Sequence, residues 1–349
     1  MRSFSKILIL SVFYAVFFTG CSDDDEDDPV IKWTTVSDSK FGTDTIRSII
    51  YGDGKFVACG TNGKMAYSYD GKVWVAVDNN NFEDFSISSI AYGDGKFVAC
   101  GSKVTISSNI LGSITKYDCK IAYSYDGVNW TATVTGNFGI RCITYGDGKF
   151  VVGGTNGSIA YSTDGIKWTI AQDNKTNYNI SSVSYGGGKF VAIANSEFSY
   201  SSFIGGYYSN DIVHSTDGVT WNKLDNGLGG KHYISCIAYG DGKFVIMRKS
   251  NGSGLARAYS YDGITWTDNQ ILISNNSNWY ELPIYSIIYN DGVFVAGGQF
   301  NKTLYSYDGI KWNLNESGKL ANVIYSIAYG NGKFVAGGTD GKIAYSNNH

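Results

Sequence analysis

One phrase, most often Tyr-Gly-Asp-Gly-Lys-Phe-Val, occurs seven times in this chain, opening at Tyr51, Tyr92, Tyr145, Tyr185, Tyr239, Tyr289 and Tyr329. A second, most often Tyr-Ser-Tyr-Asp-Gly-x-x-Trp, opens at Tyr67, Tyr123, Tyr161, His214, Tyr259 and Tyr305 and supplies Trp74, Trp130, Trp168, Trp221, Trp266 and Trp312. Successive copies lie 38 to 56 residues apart, the period of four-stranded propeller blades. Each unit reads as four short alternating strands, A to D, and helical periodicity is absent beyond the N-terminal leader. The A–B link is a two-residue hairpin turn that requires positive φ, hence Asp53-Gly54, Asp94-Gly95, Asp147-Gly148 and Asp241-Gly242. Gly187-Gly188 and Asn331-Gly332 lack the carboxylate, so turn geometry rather than calcium ligation accounts for these positions.

The seventh unit ends at Tyr345-Ser346-Asn347-Asn348-His349 without its tryptophan strand. The missing piece stands at the other end, where Ile31-Lys32-Trp33-Thr34 matches Ile166-Lys167-Trp168-Thr169. The expected fold is therefore all-β: a seven-bladed β-propeller over residues 30–349, closed by the N-terminal strand completing the last blade. Closure removes the exposed sheet edges that invite aggregation. Composition agrees, with 44 glycines, 27 tyrosines and only two prolines in 349 residues. That excludes collagen-like and disordered chains.

Residues 1–20 read as a signal peptide: Arg2 and Lys6 precede an apolar run from Ile7 to Phe18 that is too short to span a bilayer. The run ends in Phe18-Thr19-Gly20-Cys21, which resembles a bacterial lipobox and implies lipidation of Cys21. Asp23-Asp24-Asp25-Glu26-Asp27-Asp28 follows, a self-repelling, solvated tether spanning residues 21–29. It resembles the acidic export signal of Bacteroidetes surface lipoproteins, implying a lipid-anchored protein on the outer face of the outer membrane. Without this leader Lys plus Arg falls from 28 to 26 and Asp plus Glu from 31 to 25. The remainder is near neutral and has no basic stripe, so no nucleic-acid partner is expected.

Ser68-Tyr69-Asp70-Gly71-Lys72-Val73-Trp74 and its copies resemble the Asp-box of sialidase-type (BNR) propellers, one residue shorter than usual. The resemblance covers essentially the whole mature chain and implies the fold; it implies a structural role for these residues, away from any active site. Asp and Ser can bind turn amides while Trp packs between blades.

A–B and C–D turns share one face and are nearly constant in length. The insertions fall on the other face: Gly101–Cys119, Asn195–Asp211 and Ser250–Arg257 between strands B and C, and Asp78–Phe85, Asn222–His232 and Thr267–Leu282 between D and A. Variable loops on a rigid scaffold are where function concentrates, and these carry Tyr207, Tyr208, Trp279 and Tyr280. One strand-A position near the channel entrance on that face differs between blades: Arg47, Ser88, Arg141, Ser181, Ser235, Tyr285 and Tyr325. Serine throughout would suffice for a scaffold, so Arg47, Arg141, Tyr285 and Tyr325 are candidate ligand contacts beside the loop aromatics.

A sialidase mechanism would need three arginines, a Tyr–Glu nucleophile pair and an acid. Only four arginines follow the leader, and 11 of the 25 remaining carboxylates sit in repeated turns. With three histidines and no CxxC pair, no metal or other cofactor is expected. Cys59, Cys100, Cys119, Cys142 and Cys236 read mainly as small buried residues. The expected function is a monomeric, non-catalytic binding module for a glycan or a partner protein of a surface complex. The alternatives are a glycoside hydrolase of sialidase-like architecture, marked by a carboxylate pair beside Arg47 and Arg141, and a scaffold subunit docking through its short-turn face.

Overall fold

The computed structural model describes residues 31–346, except 110–111, 172–175, 197–198, 202–204, 208, 225–227, 229–232, 250–254, 271–282 and 316–319. Cys21 and the whole of residues 1–29 therefore lie outside the described residues. Each repeat forms one antiparallel four-stranded sheet, and seven such sheets are present. In blade 1, strands A to D are Ile46–Gly52, Lys55–Gly60, Met65–Ser68 and Val75–Ala76. The A strands of blades 2 to 7 are Ser86–Gly93, Ile140–Gly146, Asn179–Gly186, Tyr233–Gly240, Ile284–Asn290 and Ile324–Gly330. Blade 7 takes its D strand, Trp33–Thr35, from the N-terminal end, with Trp33 opposite Ser346 and Thr35 opposite Ala344. The ring closes as the repeat register predicts.

The A–B turns have the geometry their sequence requires. Asp53 and Gly54 have φ of 45° and 73°, which matches the strand twist and favours Asp-Gly. The glycine before each turn has a different duty: a Cβ on Gly52 would lie 2.2 Å from the ring of Tyr92 in the next blade. The same ring-on-glycine contact joins Gly93 to Tyr145, Gly146 to Tyr185, Gly186 to Tyr239, Gly240 to Tyr289 and Gly330 to Tyr51. The repeated Tyr-Gly is thus an inter-blade contact. Lysines of the same phrase also reach across, Lys55 donating to the Asp126 carbonyl at 3.1 Å and Lys333 to that of Asp70 at 3.2 Å.

In the C–D turn Asp70 accepts from the amides of Lys72 and Val73 at 2.8 and 2.9 Å, Gly71 N–H donates to Ser68 Oγ, and Trp74 Nε1 donates to the Gly71 carbonyl. Asp126, Asp164, Asp217, Asp262 and Asp308 accept from the corresponding turn amides in the other blades. Trp74 lies in an apolar cluster shared by blades 1 and 7, and Trp130 in one shared by blades 1 and 2. These positions are structural, as the resemblance implied. The five propeller cysteines are buried free thiols.

Two insertions carry regular structure where loops were expected. In blade 2 strands B and C are extended, as Lys96–Asn109 and Gly112–Ser124, and stay paired as a two-stranded ribbon beyond the end of strand A. In blade 4 the insertion holds a small hairpin, Ser199–Ser201 against Gly205–Tyr207.

Candidate functional site

Strand A of every blade carries a β-bulge at the same place. In blade 1 Ile46 faces Gly60 and Ser48 faces Cys59, so Arg47 is the extra residue. The extra residues of the other blades are Ser88, Arg141, Ser181, Ser235, Tyr285 and Tyr325. These are the seven positions singled out by their variability. A bulge leaves one residue without a ladder partner and re-aims its side chain. The residues on either side stay fixed for packing reasons. Ile46 and Ile49 are buried, and the Ser48 hydroxyl accepts from Ile90 N–H of the next blade at 3.3 Å. Ser89, Ser286 and Ser326 staple their neighbours in the same way.

All seven bulge residues line one cavity of about 600 Å³, within the usual size range of ligand pockets. It opens where strands A begin, on the long-loop face. The ring is unequal. Ser181 and Ser235 turn back on their own blades, their hydroxyls donating to the carbonyls of Ile193 and Met247 at 3.3 and 3.0 Å. Tyr285 and Tyr325 pack together at 5.4 Å between centroids and 44°. The Arg47 guanidinium sits over the Tyr325 ring at 5.0 Å, within cation–π range, and the Tyr285 hydroxyl accepts from Gln299 Nε2 at 3.0 Å. Arg47 and Arg141 are both exposed, and among the described residues neither forms an ion pair.

The described residues lining the cavity include no Asp, Glu, Asn or Gln. The carboxylate pair that would mark a hydrolase is thus missing from the described wall beside Arg47 and Arg141. Glu83 and Asp84 are instead engaged by Lys120 and Lys103 of the blade 2 ribbon. Arg248 and Arg257 are buried in blade 5, Arg248 paired with Asp268, so neither joins Arg47 and Arg141. What the wall offers is two fixed positive charges, hydroxyls and backbone groups: donors for an oxyanion.

The structure brings Arg47, Arg141, Tyr285 and Tyr325 together. Tyr207 ends the blade 4 hairpin, but its side chain, together with Tyr208, Trp279 and Tyr280, lies outside the described positions. Sequence reasoning missed Val104, Tyr117 and Tyr233, which also line the cavity. Alternation of Val104 and Ile106 with polar residues was the available signal for the ribbon.

On the opposite, short-turn face Tyr69, Tyr125, Tyr261 and Tyr307 are exposed. Lysines cover three of these rings, Lys55 lying 5.7 Å from Tyr69, Lys96 5.8 Å from Tyr125 and Lys243 5.8 Å from Tyr261. That face is amphipathic rather than an open apolar patch.

No protein-family model matches the sequence, and no curated protein matches it. Solved structures do resemble the fold. A YCF48 bound to D1 peptide aligns with a TM-score of 0.66 at 14% identity, over 93% of this chain and 97% of that one. YCF48 from Cyanidioschyzon merolae gives 0.64 at 16%, over 90% and 98%. The WD40 propeller domain of Doa1 gives 0.56 at 13%, over 92% and 97%. At these identities the likeness establishes a β-propeller repeat fold.

Proposed function

We propose that this chain is a non-catalytic binding module that receives an oxyanion-bearing segment of a partner protein in the channel mouth on its long-loop face. The observation that carries the reading is a cavity with two exposed guanidinium groups that have no ion partner, and no carboxylate in the wall, among the described residues. A sialidase-like hydrolase needs a glutamate beside its tyrosine nucleophile and a carboxylic acid as proton donor, and the described wall supplies neither. Arg47 sits over the Tyr325 ring, so that face is not open to stack on a sugar. The peptide-bound propeller of similar fold supports a protein partner over a glycan. The leader and acidic tether support a lipid-anchored place on the outer membrane, facing outwards.

The test is to probe peptide and glycan arrays with the full chain and with R47A/R141A. Retention of acidic peptides should fall at least about tenfold in the double variant, because a hydrogen bond to a charged group contributes roughly 1.5–3 kcal/mol. Retention of neutral glycans, equal in both proteins, would overturn the reading. Loss of terminal sugars from the glycan array would restore the hydrolase alternative.

A further inference from the structure

The blade 2 ribbon has two unlike faces. Paired strand residues share a face, so Lys103 and Asp118 stand on one side, Val104 and Tyr117 on the other. The first side is charged and anchored, with Lys103 bridged to Asp84 and Lys120 to Glu83 at 2.9 Å. The second carries Val104 and Ile106, exposed by 52% and 66%. This apolar side leans over blade 3. The Tyr117 ring lies against Gly139, where a Cβ would come within 2.8 Å of it, and Val104 and Tyr117 share the cavity wall with Arg141. Strand A of blade 2 pairs with strand B only as far as Ser102. Among the described residues no strand occupies the axis-side edge of the ribbon from Lys103 outwards.

We infer that the ribbon is a second half of the binding site: it docks an extended peptide whose apolar residue packs on Val104 and Ile106 while a neighbouring acidic residue meets Arg141 and Arg47. This rests on the proposed channel reading and adds the apolar requirement to it. An occupant of this chemistry complements both parts of the groove. A carboxylate matches the two guanidiniums, which have no ion partner among the described residues, and an apolar side chain covers β-branched residues that face solvent beside them. An extended backbone suits an unpaired strand edge, which can supply main-chain hydrogen bonds. Free phosphate or a lone sugar acid would satisfy the arginines and leave the ribbon unused.

The experiment selects binders to the full chain from a random-peptide phage library, then measures the enriched peptides against V104S/I106S and R47A/R141A. The enriched peptides should pair an acidic residue with an apolar one. V104S/I106S should bind them at least about tenfold more weakly while still requiring the acid, given what apolar burial contributes. R47A/R141A should lose the acid requirement. Both altered ribbon side chains are exposed, so the thermal melt should be unchanged, and bound peptide should slow hydrogen exchange of the amides of residues 103–107. Unchanged affinity in V104S/I106S with loss in R47A/R141A would overturn the ribbon and leave the channel reading standing. Unchanged affinity in both variants would overturn both. A library that enriches nothing would overturn the peptide occupant, and the glycan array would then decide the channel reading alone.

Discussion

Trp33 lies directly opposite Ser346, joining the first strand of the propeller to the last, and its indole N–H donates to the Thr303 hydroxyl of blade 6 at 3.3 Å. The indole is buried among residues of blades 6 and 7. One side chain therefore closes the ring and fills an inter-blade core. Trp33→Ala should cost about 3–5 kcal/mol, the usual loss for emptying a buried tryptophan site. Deleting residues 31–35 should cost more, because the edge of blade 7 is then bare. Urea unfolding checks both, and an unchanged midpoint in either would show that the ring does not depend on this strand.

The Tyr-on-Gly contacts predict a cost for the smallest possible enlargement. A Cβ at Gly330 would sit 2.1 Å from the Tyr51 ring, too close for any small adjustment. Gly330→Ala should destabilise by about 1–3 kcal/mol through overpacking. The blade 6–7 junction shows what a side chain there demands: Asn290 replaces the glycine, and Tyr329 hydrogen-bonds outwards to Asp291 at 2.9 Å. Asn290→Gly should therefore be tolerated. Thermal unfolding of the two variants side by side decides the matter.

Acid should unfold the propeller through its C–D turns. Burial alone would raise the Asp262 carboxyl, but the amides of Thr265 and Ile264 and the Ser260 hydroxyl hold it at about 2. Asp70, Asp126, Asp164, Asp217 and Asp308 are lowered by equivalent hydrogen bonds against the same opposing effect. A depressed folded-state value contributes stability above the unfolded value of about 3.9, which is lost as pH falls through the folded value. The melting temperature should be level from pH 7 to about 5 and fall between about 4 and 2. Asp262→Asn should lower stability at pH 7 and flatten that fall. A profile identical to wild type would remove the turns from the acid response.

Burial pushes the Cys142 and Cys236 thiols up to about 12 and raises Cys59 and Cys100 as well. At pH 8 they stay protonated and largely buried, so the native propeller should react slowly with thiol reagents while its denatured chain reacts at all five propeller cysteines, Cys119 included. Rapid native labelling of Cys142 or Cys236 would show that the inter-blade cores open readily.

The blade count and the closing strand were legible because the repeat prints the same side chains in each unit and leaves one unit short. The variable position was legible too, but its cause was not. Strict alternation would place apolar residues two apart, whereas Ile46 and Ile49, Ile140 and Ile143, and Ile324 and Ile327 are all buried at a spacing of three. That spacing is the mark of the bulge. The ribbon was misread because an insertion has no second copy to compare with, and its charged anchors, Glu83 and Asp84, stand in a different loop.

The bulge makes a sharp distinction between replacing Arg47 and removing it. Ser88, Ser181 and Ser235 already occupy the same position in other blades, so Arg47→Ser leaves backbone and core intact. Its stability should stay within about 0.5 kcal/mol of wild type, as for surface changes generally, while binding of acidic peptides weakens. Deleting residue 47 removes the extra residue itself. Ile46 would then have to abandon its buried site or drag the strand by one residue, and a one-residue slip turns every side chain to the wrong face. That deletion should cost about 2–5 kcal/mol, the range for losing a buried isoleucine contact. Chemical denaturation of the two variants measures the difference. Equal stability would mean that the bulge is an accident of packing, and near-wild-type peptide binding by Arg47→Ser would mean that the bulge does not aim a ligand contact.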